Sequence, residues 1–209
     1  MTSEERRNEG LLFIADESDW EKMKRARRLI RKLNTADPAD FDLIRSIINE
    51  LFGKSDSTTF VNPPFFCDYG SNIEVGKNCF INCNCVILDN GRVTIGDNCL
   101  IAPNAAIYTA GHPLHPDLRR PGYEYGIPVE IADDVWIGGN AVICPGVRIG
   151  RGSVIGAGSV VTRDVPEMSF AAGNPCRVIR PITDADREYY FRQRKIDEEL
   201  AGVLGIGNI

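Results

Sequence analysis

An aliphatic side chain recurs at every sixth position through the middle of this chain, with two interruptions. Twelve positions follow the pattern: Val75, Ile81, Ile87, Ile95, Ile101, Ile107, Ile131, Ile137, Ile143, Ile149, Ile155 and Val161. A helix repeats its faces every 3.6 residues and a strand every two, so neither explains a period of six. The period predicts a triangular coil in which each hexad forms one flat face and points its aliphatic side chain inward. At about 4.8 Å per coil, twelve hexads predict about four coils of a parallel β-helix, roughly 20 Å tall.

The position four residues after each aliphatic one carries a small or modest side chain. Cys79, Cys85 and Cys99 occupy it, so we expect these thiols to point inward and fill space, as buried free cysteines commonly do. We expect no metal site among them. The chain contains seven cysteines, and an odd number does not fit a framework of disulfides. A reducing, cytoplasmic setting is the simpler expectation.

Two interruptions break the series of hexads. Two residues are inserted around Asp89 and Asn90. Residues 108–130 keep the phase of the repeat, but their prolines, tyrosines and charges, together with both histidines of the chain, cannot fill the faces of a coil. This segment is predicted to be an external loop, and loops of such length in a compact domain tend to be functional.

The two ends of the chain differ in texture from the repeat. Residues 1–55 are charged and show helical spacing, with Asp40 as the cap of a second helix that ends near Gly53. Residues 184–204 suggest one short helix, followed by a Gly-rich tail. The predicted fold is therefore mainly β: a parallel β-helix over residues 56–182, an N-terminal helical segment over 1–55, and a C-terminal helix and tail over 183–209.

Charge and hydropathy exclude several classes of function. The formal net charge of −5 and the pI near 5.2 argue against a nucleic-acid binder, which usually carries a basic face. The N-terminus is charged and lacks the apolar stretch of a signal peptide. No run approaches 18 consecutive apolar residues, so we expect no membrane span.

With these hexads, the sequence resembles the hexapeptide acyltransferases, and more narrowly the branch that acetylates galactosides, maltose and nodulation sugars. Besides the repeat, the resemblance rests on the stretches PPFFCDYG at 63–70, NCN at 82–84, TAGHP at 109–113 and AGNPCRVIR at 172–180. It implies a left-handed coil, acetyl-CoA as co-substrate, and a homotrimer whose active sites lie between adjacent subunits. It covers nearly the whole chain up to about residue 190.

The resemblance places the general base of the reaction at His112, within the Gly-His-Pro sequence. Transfer of an acetyl group to a hydroxyl needs such a base, and a free imidazole titrates near the pH at which it must act. Glu124 is the best candidate in the loop to orient the other ring nitrogen, and a backbone carbonyl is the alternative. Asn82 matches the asparagine that stabilises the oxyanion, whereas Asn84 fits a turn at a corner of the coil. His115 lacks the matching context, and we expect it either at the surface or in support of a residue of the site.

The resemblance also implies residues that hold the two substrates. Asp68, Asn90 and, through an alignment that needs a gap, Asp16 map onto positions that bind sugar hydroxyls, and Asn82 is counted with them as a substrate-binding residue. Asn90 stands where the family often has an acid, and the neighbouring Asp89 is a possible substitute. The positions implied for coenzyme A are basic residues for its phosphates and small residues for its pantetheine arm: Arg163, Arg177, Arg180, Gly139, Ala157 and Thr162, with Trp136 beside the arm.

Three other functions remain open at this point. One is acetylation of another acceptor, such as an antibiotic or serine. A γ-type carbonic anhydrase uses the same coil but needs three metal-binding histidines, and this chain has two. A non-catalytic β-helix that binds a partner is the third, and His112, Asn82 and the arginines speak against it.

Overall fold

A computed structural model describes residues 1–205 and contains three N-terminal helices followed by a long coil of short strands. The helices are α1 (Ser3–Asn8), α2 (Glu17–Asn34) and α3 (Phe41–Leu51). The strands and the loop helix that follow are, in chain order, β1 (Phe60–Val61), β2 (Phe65–Cys67), β3 (Ile73–Val75), β4 (Phe80–Ile81), β5 (Cys85–Leu88), β6 (Val93–Ile95), β7 (Leu100–Ile101), β8 (Ala106–Tyr108), β9 (Ala110–Gly111), α4 (Pro116–Arg119), β10 (Tyr125–Gly126), β11 (Val129–Ile131), β12 (Trp136–Ile137), β13 (Val142–Ile143), β14 (Arg148–Ile149), β15 (Val154–Ile155), β16 (Val160–Val161), β17 (Ser169–Ala172) and β18 (Arg177–Pro181).

The strands stack into three parallel faces, which confirms the predicted β-helix. Face 1 contains β1, β4, β7, β12, β15 and β17, and the antiparallel β18 closes it. Face 2 contains β2, β5, β8, β13 and β16, and face 3 contains β3, β6, β11 and β14. The chain visits the faces in the order 1, 2, 3, so it turns first at a corner between faces 1 and 2 and then at a corner between faces 2 and 3.

The interior of the coil is the one that the hexads predict. All twelve aliphatic positions are at most 4% exposed, and Cys79, Cys85 and Cys99 are at most 2% exposed. The prediction of about four coils is too low, because face 1 has six parallel strands. The first coil points Val61, Phe65 and Ile73 inward, and the last uses Ala171; these residues lie outside the regular hexads.

The corners are built from residues that tolerate a left-handed backbone. Asn84 has φ 60°, which confirms its expected place at a corner, and Asn78, Asn98, Asn104, Asp134 and Asn140 have φ between 55° and 61°. Asparagine and aspartate adopt this conformation more readily than other non-glycine residues. Their side chains also bond from coil to coil, since Asn98 donates to the Asp134 carboxylate at 3.0 Å.

The N-terminal helices close the open end of the coil. The predicted second helix is confirmed as α3, whose cap Asp40 accepts from the Leu43 N–H at 3.0 Å. The edge of β2 faces α2, where the Asn34 amide donates to the Phe65 carbonyl at 3.0 Å and accepts from its N–H at 2.9 Å. The side chain thus replaces the missing neighbour of an edge strand, which would otherwise expose backbone groups open to pairing.

The C-terminal prediction is wrong in extent. Residues 184–204 do not form one helix but a 3₁₀ turn (Asp184–Arg187), a hairpin of β19 (Tyr189–Phe191) and β20 (Arg194–Lys195), and the short helix α5 (Glu198–Val203). Three consecutive aromatic residues favour a strand there, and Arg192 makes the turn at φ 53°. The end of the predicted Gly-rich tail, residues 206–209, lies outside the described residues. No helix within residues 1–205 is both long and apolar enough to cross a membrane.

Candidate active site

The predicted external loop leaves the coil after β8 and returns at β11, at the corner between faces 2 and 3. Its base is a small antiparallel ribbon in which β9 pairs with β10. A Cβ on Gly111 would lie 2.3 Å from the Tyr125 ring, so any larger residue there would displace that ring. The loop is also tied to the N-terminal segment, since Phe13 and Glu124 exchange two backbone hydrogen bonds of 3.0 Å. A β-ribbon and a second segment thus hold the loop that carries the histidines.

His112 follows this ribbon directly and is exposed to solvent. Its Nδ1 lies 3.1 Å from the Tyr123 carbonyl. A proton on Nδ1 donates to that oxygen, and the Nε2 lone pair is then free to accept a proton. The orienting group at the ring nitrogen is therefore the backbone carbonyl, the alternative that the sequence left open, and not Glu124. His115 is exposed and caps α4, where its ring nitrogen accepts from the Asp117 N–H at 3.3 Å.

Glu124 nevertheless lies within the electrostatic reach of His112. Its carboxylate accepts a hydrogen bond of 2.9 Å from the side-chain amide of Asn90. Burial raises the pKa of Glu124, while the charges of His112 and Arg7 oppose that shift. Glu124 therefore joins two predicted site residues: it holds the Asn90 amide and places a carboxylate near the imidazole.

The two inserted residues at the corner have different roles. Asp89 is 0% exposed, and its carboxylate accepts from the backbone N–H groups of Asp68 at 3.0 Å, Tyr69 at 2.9 Å and Asn72 at 3.2 Å. Burial outweighs these hydrogen bonds and raises the pKa of Asp89 to about 6. Asp89 is therefore a support beneath the site, and the suggestion that it replaces Asn90 in binding a sugar is wrong, because no surface of it is accessible.

Asp68 and Asn90 lie at the same corner as the loop. The main chain of Asp68 is fixed by Asp89, and its half-buried side chain has a pKa raised by burial, which the charge of Arg27 on α2 opposes. Asn90 reaches Glu124 from the next coil. The structure therefore brings Asp68, Asn90, His112 and Glu124 to one corner.

Asp16 has a different role within this chain. It caps α2, and its carboxylate accepts from the backbone N–H groups of Ser18 at 3.0 Å and Asp19 at 3.2 Å. Such a cap typically stabilises a helix by about 1 kcal/mol. A contact of Asp16 with a sugar stays a prediction.

Asn82 lies at the other corner, between faces 1 and 2, directly after β4. Its Oδ1 accepts from the Cys83 N–H at 2.8 Å, which leaves the Nδ2 amide available as a donor. The whole width of face 2 separates this corner from the one that carries His112. A single chain therefore does not bring Asn82 and His112 together.

Below Asn82, small residues follow the same corner from coil to coil. Ala102, Gly138 and Gly156 stack under Asn82, with Gly139 and Ala157 one position further along the turn. A Cβ on Gly139 would lie 3.2 Å from the Pro103 carbonyl, so even an alanine crowds this edge. Three coil steps span roughly 14 Å. An extended, amide-rich chain fits such an edge of small side chains and accessible backbone.

The remaining residues predicted for coenzyme A surround this edge or lie at the other corner. Trp136 is half exposed on face 1, and Arg177 and Arg180 lie on β18 at the end of that face. Thr162 and Arg163 follow β16 at the corner between faces 2 and 3. Arg180 is held by the Asp186 carboxylate through bonds of 2.9 and 2.7 Å, a contact that sequence reasoning missed. Within residues 1–205, no three His, Cys, Asp or Glu side chains group as metal ligands would.

Comparison with known proteins places the coil in a family. Residues 128–163 match the family model described as bacterial transferase hexapeptide (six repeats), and residues 72–109 match the hexapeptide repeat of succinyl-transferase. A galactoside O-acetyltransferase of Escherichia coli K12 is 46% identical over 180 residues, which cover 86% of this chain and 89% of that protein.

Two solved structures are similar over most of their length. A galactoside acetyltransferase in complex with coenzyme A superposes with a TM-score of 0.92 at 45% identity, covering 94% of this chain and 99% of that one. A maltose O-acetyltransferase from Clostridium difficile 630 gives a TM-score of 0.86 at 44% identity, covering 88% and 99%. The chain therefore belongs to the family of hexapeptide-repeat O-acetyltransferases.

Proposed function

We propose that the protein transfers an acetyl group from acetyl-CoA directly to a hydroxyl of a sugar, with His112 as the general base. The observation that carries this proposal is the contact between His112 Nδ1 and the Tyr123 carbonyl. It leaves Nε2 as the accepting atom on a loop that projects from the coil. The relatives that act on galactosides and maltose support a sugar as the acceptor.

The proposed reaction is a single displacement at the thioester carbonyl. The acceptor hydroxyl gives its proton to His112 Nε2 while its oxygen forms a bond to the carbonyl carbon. The resulting oxyanion accepts a hydrogen bond from the Asn82 amide. The intermediate then breaks its carbon–sulfur bond, and the leaving thiolate takes the proton from the imidazolium. The products are the O-acetyl sugar and coenzyme A, and the Glu124 carboxylate stabilises the imidazolium between the two proton transfers.

The acceptor lies, in this proposal, against the corner between faces 2 and 3. Asp68 and Asn90 bind its hydroxyls there, and Asp16 joins them from the start of α2. The Asn90 amide donates one hydrogen bond to the Glu124 carboxylate. This bond orients the Asn90 Oδ1 to accept a hydrogen bond from a sugar hydroxyl. Coenzyme A lies along the edge below Asn82 with its pantetheine arm on Gly139 and Ala157, its phosphates near the arginines, and Trp136 beside it.

We further propose a homotrimer with an active site at each interface between subunits. Its support is the separation of the site residues over two corners of one chain, with His112 at one and Asn82 at the other. The cofactor residues divide in the same way, since Thr162 and Arg163 lie at the corner that carries His112. In a ring of three copies the contact is head-to-tail. The corner of one chain that carries His112 then faces the corner of its neighbour that carries Asn82.

Complementation between two inactive variants tests the interfacial site. His112→Ala and Asn82→Ala should each be inactive as homotrimers, but a mixture assembled from both chains should recover up to about a quarter of the wild-type activity. Random assembly gives each interface an intact histidine half of the time and an intact neighbouring asparagine half of the time. Turnover by the refolded mixture is measured against each variant refolded alone. A mixture as inactive as its components would contradict the shared site.

Release of free thiol from acetyl-CoA tests the proposed function itself. We expect turnover with galactosides or maltose-like sugars well above hydrolysis in buffer. The panel of acceptors should also include serine, an aminoglycoside and a chloramphenicol-type antibiotic. Turnover with one of these and not with sugars would mean that the acceptor is not a sugar. Absence of turnover with every hydroxylated acceptor would overturn the proposal in favour of a binding protein.

A further inference from the structure

Arg7, on the short helix α1, is a buried cation that the proposed reaction does not use. Its side chain is 5% exposed. One of its terminal nitrogens binds the buried Asp19 carboxylate at 2.5 Å and lies 3.3 Å from the Ser3 hydroxyl. Its Nε has no hydrogen-bond partner within residues 1–205. A buried charge is costly, and replacing an ion pair by apolar side chains is often neutral or stabilising, so packing alone gives little reason for an arginine here.

The guanidinium lies between two aromatic rings that belong to the acceptor corner. Its central carbon is 4.5 Å from the centre of the Phe13 ring and 5.3 Å from that of the Tyr69 ring. Phe13 is the residue whose backbone pairs with Glu124 in the catalytic loop. Tyr69 is held by Asp89 next to Asp68. Arg7 therefore contacts Phe13, whose segment fixes the loop, and Tyr69, which adjoins Asp68, a residue predicted to bind the sugar.

Four charged groups face the Glu124 carboxyl. His112 lies on the same loop, Arg7 comes from α1, Asp68 from the corner of the coil and Asp19 from α2. The two cations favour the ionised carboxylate, whereas burial and the two acidic side chains oppose it. The buried Tyr69 hydroxyl also faces Glu124, and burial raises its pKa, so it stays neutral and adds no charge. Arg7 is thus the cation near Glu124 that keeps its charge while His112 is neutral.

We propose that Arg7 is a positioning residue of the acceptor site, whose buried cation packs between Phe13 and Tyr69, holds α1 against the loop that carries His112, and faces the Glu124 carboxylate beside that histidine. This inference rests on the proposed function, in which His112 is neutral before it accepts the proton. An ionised Glu124 retains the hydrogen bond from Asn90 and stabilises the imidazolium as it forms. A protonated Glu124 loses the charge that does both.

Two variants of the same ion pair separate this role from simple packing. Arg7→Gln removes the cation, so the midpoint of Glu124 ionisation should rise. Asp19→Asn removes the opposing anion, so the midpoint should fall. Both variants disrupt the same buried contact and should lower the melting temperature. A role in packing alone moves both midpoints in the same direction or not at all.

The measurement is a carbon-13 NMR titration of protein labelled at the glutamate carboxyl carbon, with Glu124 assigned by the signal missing in Glu124→Gln. It needs no substrate, so its outcome does not depend on the proposed function. Opposite shifts in Arg7→Gln and Asp19→Asn are expected. Equal or absent shifts would overturn the proposal, and so would a Glu124 midpoint in Arg7→Lys that matches Arg7→Gln, because lysine retains the charge. Should Arg7→Gln not fold alone, the double variant Arg7→Gln/Asp19→Asn is compared with Asp19→Asn, because these two proteins differ only in the cation, and the midpoint should be higher in the double variant.

The pH dependence of kcat/KM for the acceptor provides the kinetic counterpart. The ionised Glu124 stabilises the imidazolium, so kcat/KM falls toward the level of the Glu124→Gln variant as the pH falls through the titration of Glu124. In Arg7→Gln this acidic limb should move to higher pH. In a Glu124→Gln background the Arg7→Gln substitution should move the limb no further. A shift that persists in that background would place the effect of Arg7 elsewhere. No turnover by wild type would refute the function and leave the NMR result valid.

Discussion

His112→Ala should reduce acetyl transfer by about 10²–10⁴-fold, the range that a positioned general base typically contributes. The side chain is exposed and makes its one side-chain hydrogen bond within residues 1–205 to the Tyr123 carbonyl. Its removal therefore leaves no cavity in the core and no buried group without a partner. The loop is held independently, by the β9–β10 ribbon and by the backbone pairing of Phe13 with Glu124. We expect the loss in kcat, with an unchanged melting temperature and an unchanged oligomeric state.

His115→Ala is the matched control for that prediction. The two histidines lie three positions apart in one loop and both are exposed. His115 caps α4, and its loss should cost no more than local order in that turn. Thiol release by the two variants, at saturating acetyl-CoA and across the active acceptors, is the measurement. Near-normal turnover by His112→Ala, or an equal loss in His115→Ala, would contradict the assigned base.

The coil was predictable because its cause is local and repeated. Each inward aliphatic residue needs only its own hexad and the hexads one coil away, so the period is visible in the sequence. The predicted number of coils omits the first one, because Val61 and Phe65 are buried partly by α3 and by Phe52 rather than by neighbouring hexads. The ring centres of Phe52 and Phe65 are 5.5 Å apart. That burial depends on a helical segment packing over the open end, which no period in the sequence records.

The sequence offered candidate residues for the site but little about their arrangement. The resemblance predicts His112, Asn82, Asp68 and Asn90 as site residues, but the partner of the His112 ring is a main-chain carbonyl, and a carbonyl has no signature in the sequence. Arg7 escaped notice for a related reason. It follows Arg6 in a charged stretch, and only the tertiary packing of α1 decides which of the two arginines is buried. Asp89 resembled a ligand because it adjoins Asn90, whereas the structure uses it as an acceptor for three backbone groups.

Asp89→Ala should be strongly destabilising, because it leaves one buried and two half-buried backbone N–H groups without an acceptor. These belong to Asp68, Tyr69 and Asn72, and each unsatisfied donor costs about 1–3 kcal/mol. We therefore expect the free energy of unfolding to fall by at least about 3 kcal/mol at pH 5. The segment that carries Asp68 also loses its support, so the KM for the acceptor should rise in the folded fraction.

Asp97→Ala is the matched control for Asp89→Ala. Asp97 accepts a hydrogen bond of 2.8 Å from the Lys77 N–H at a corner that is open to water. Water replaces the lost acceptor there, so the loss of stability should stay below about 1 kcal/mol. Urea unfolding of both variants and of wild type gives the comparison. Similar losses of unfolding free energy in the two variants would show that the three hydrogen bonds to Asp89 stabilise the fold no more than the single solvent-exposed bond to Asp97.

The pH dependence of the Asp89→Ala effect follows from the raised pKa of this carboxyl. Its folded-state pKa of about 6 lies above the ordinary value of 3.8, so the folded protein binds the proton more tightly than the unfolded chain does. The part of the stability that is linked to protonation of Asp89 is therefore fully present below pH 3.8 and is lost as the pH rises through about 6. A separation of about two pKa units corresponds to up to about 3 kcal/mol. The difference in unfolding free energy between wild type and Asp89→Ala should accordingly narrow from pH 5 to pH 7.5. A difference that widens with pH would mean that the carboxylate, and not the protonated acid, is the form that the backbone donors prefer, and that hydrogen bonding outweighs burial at this corner.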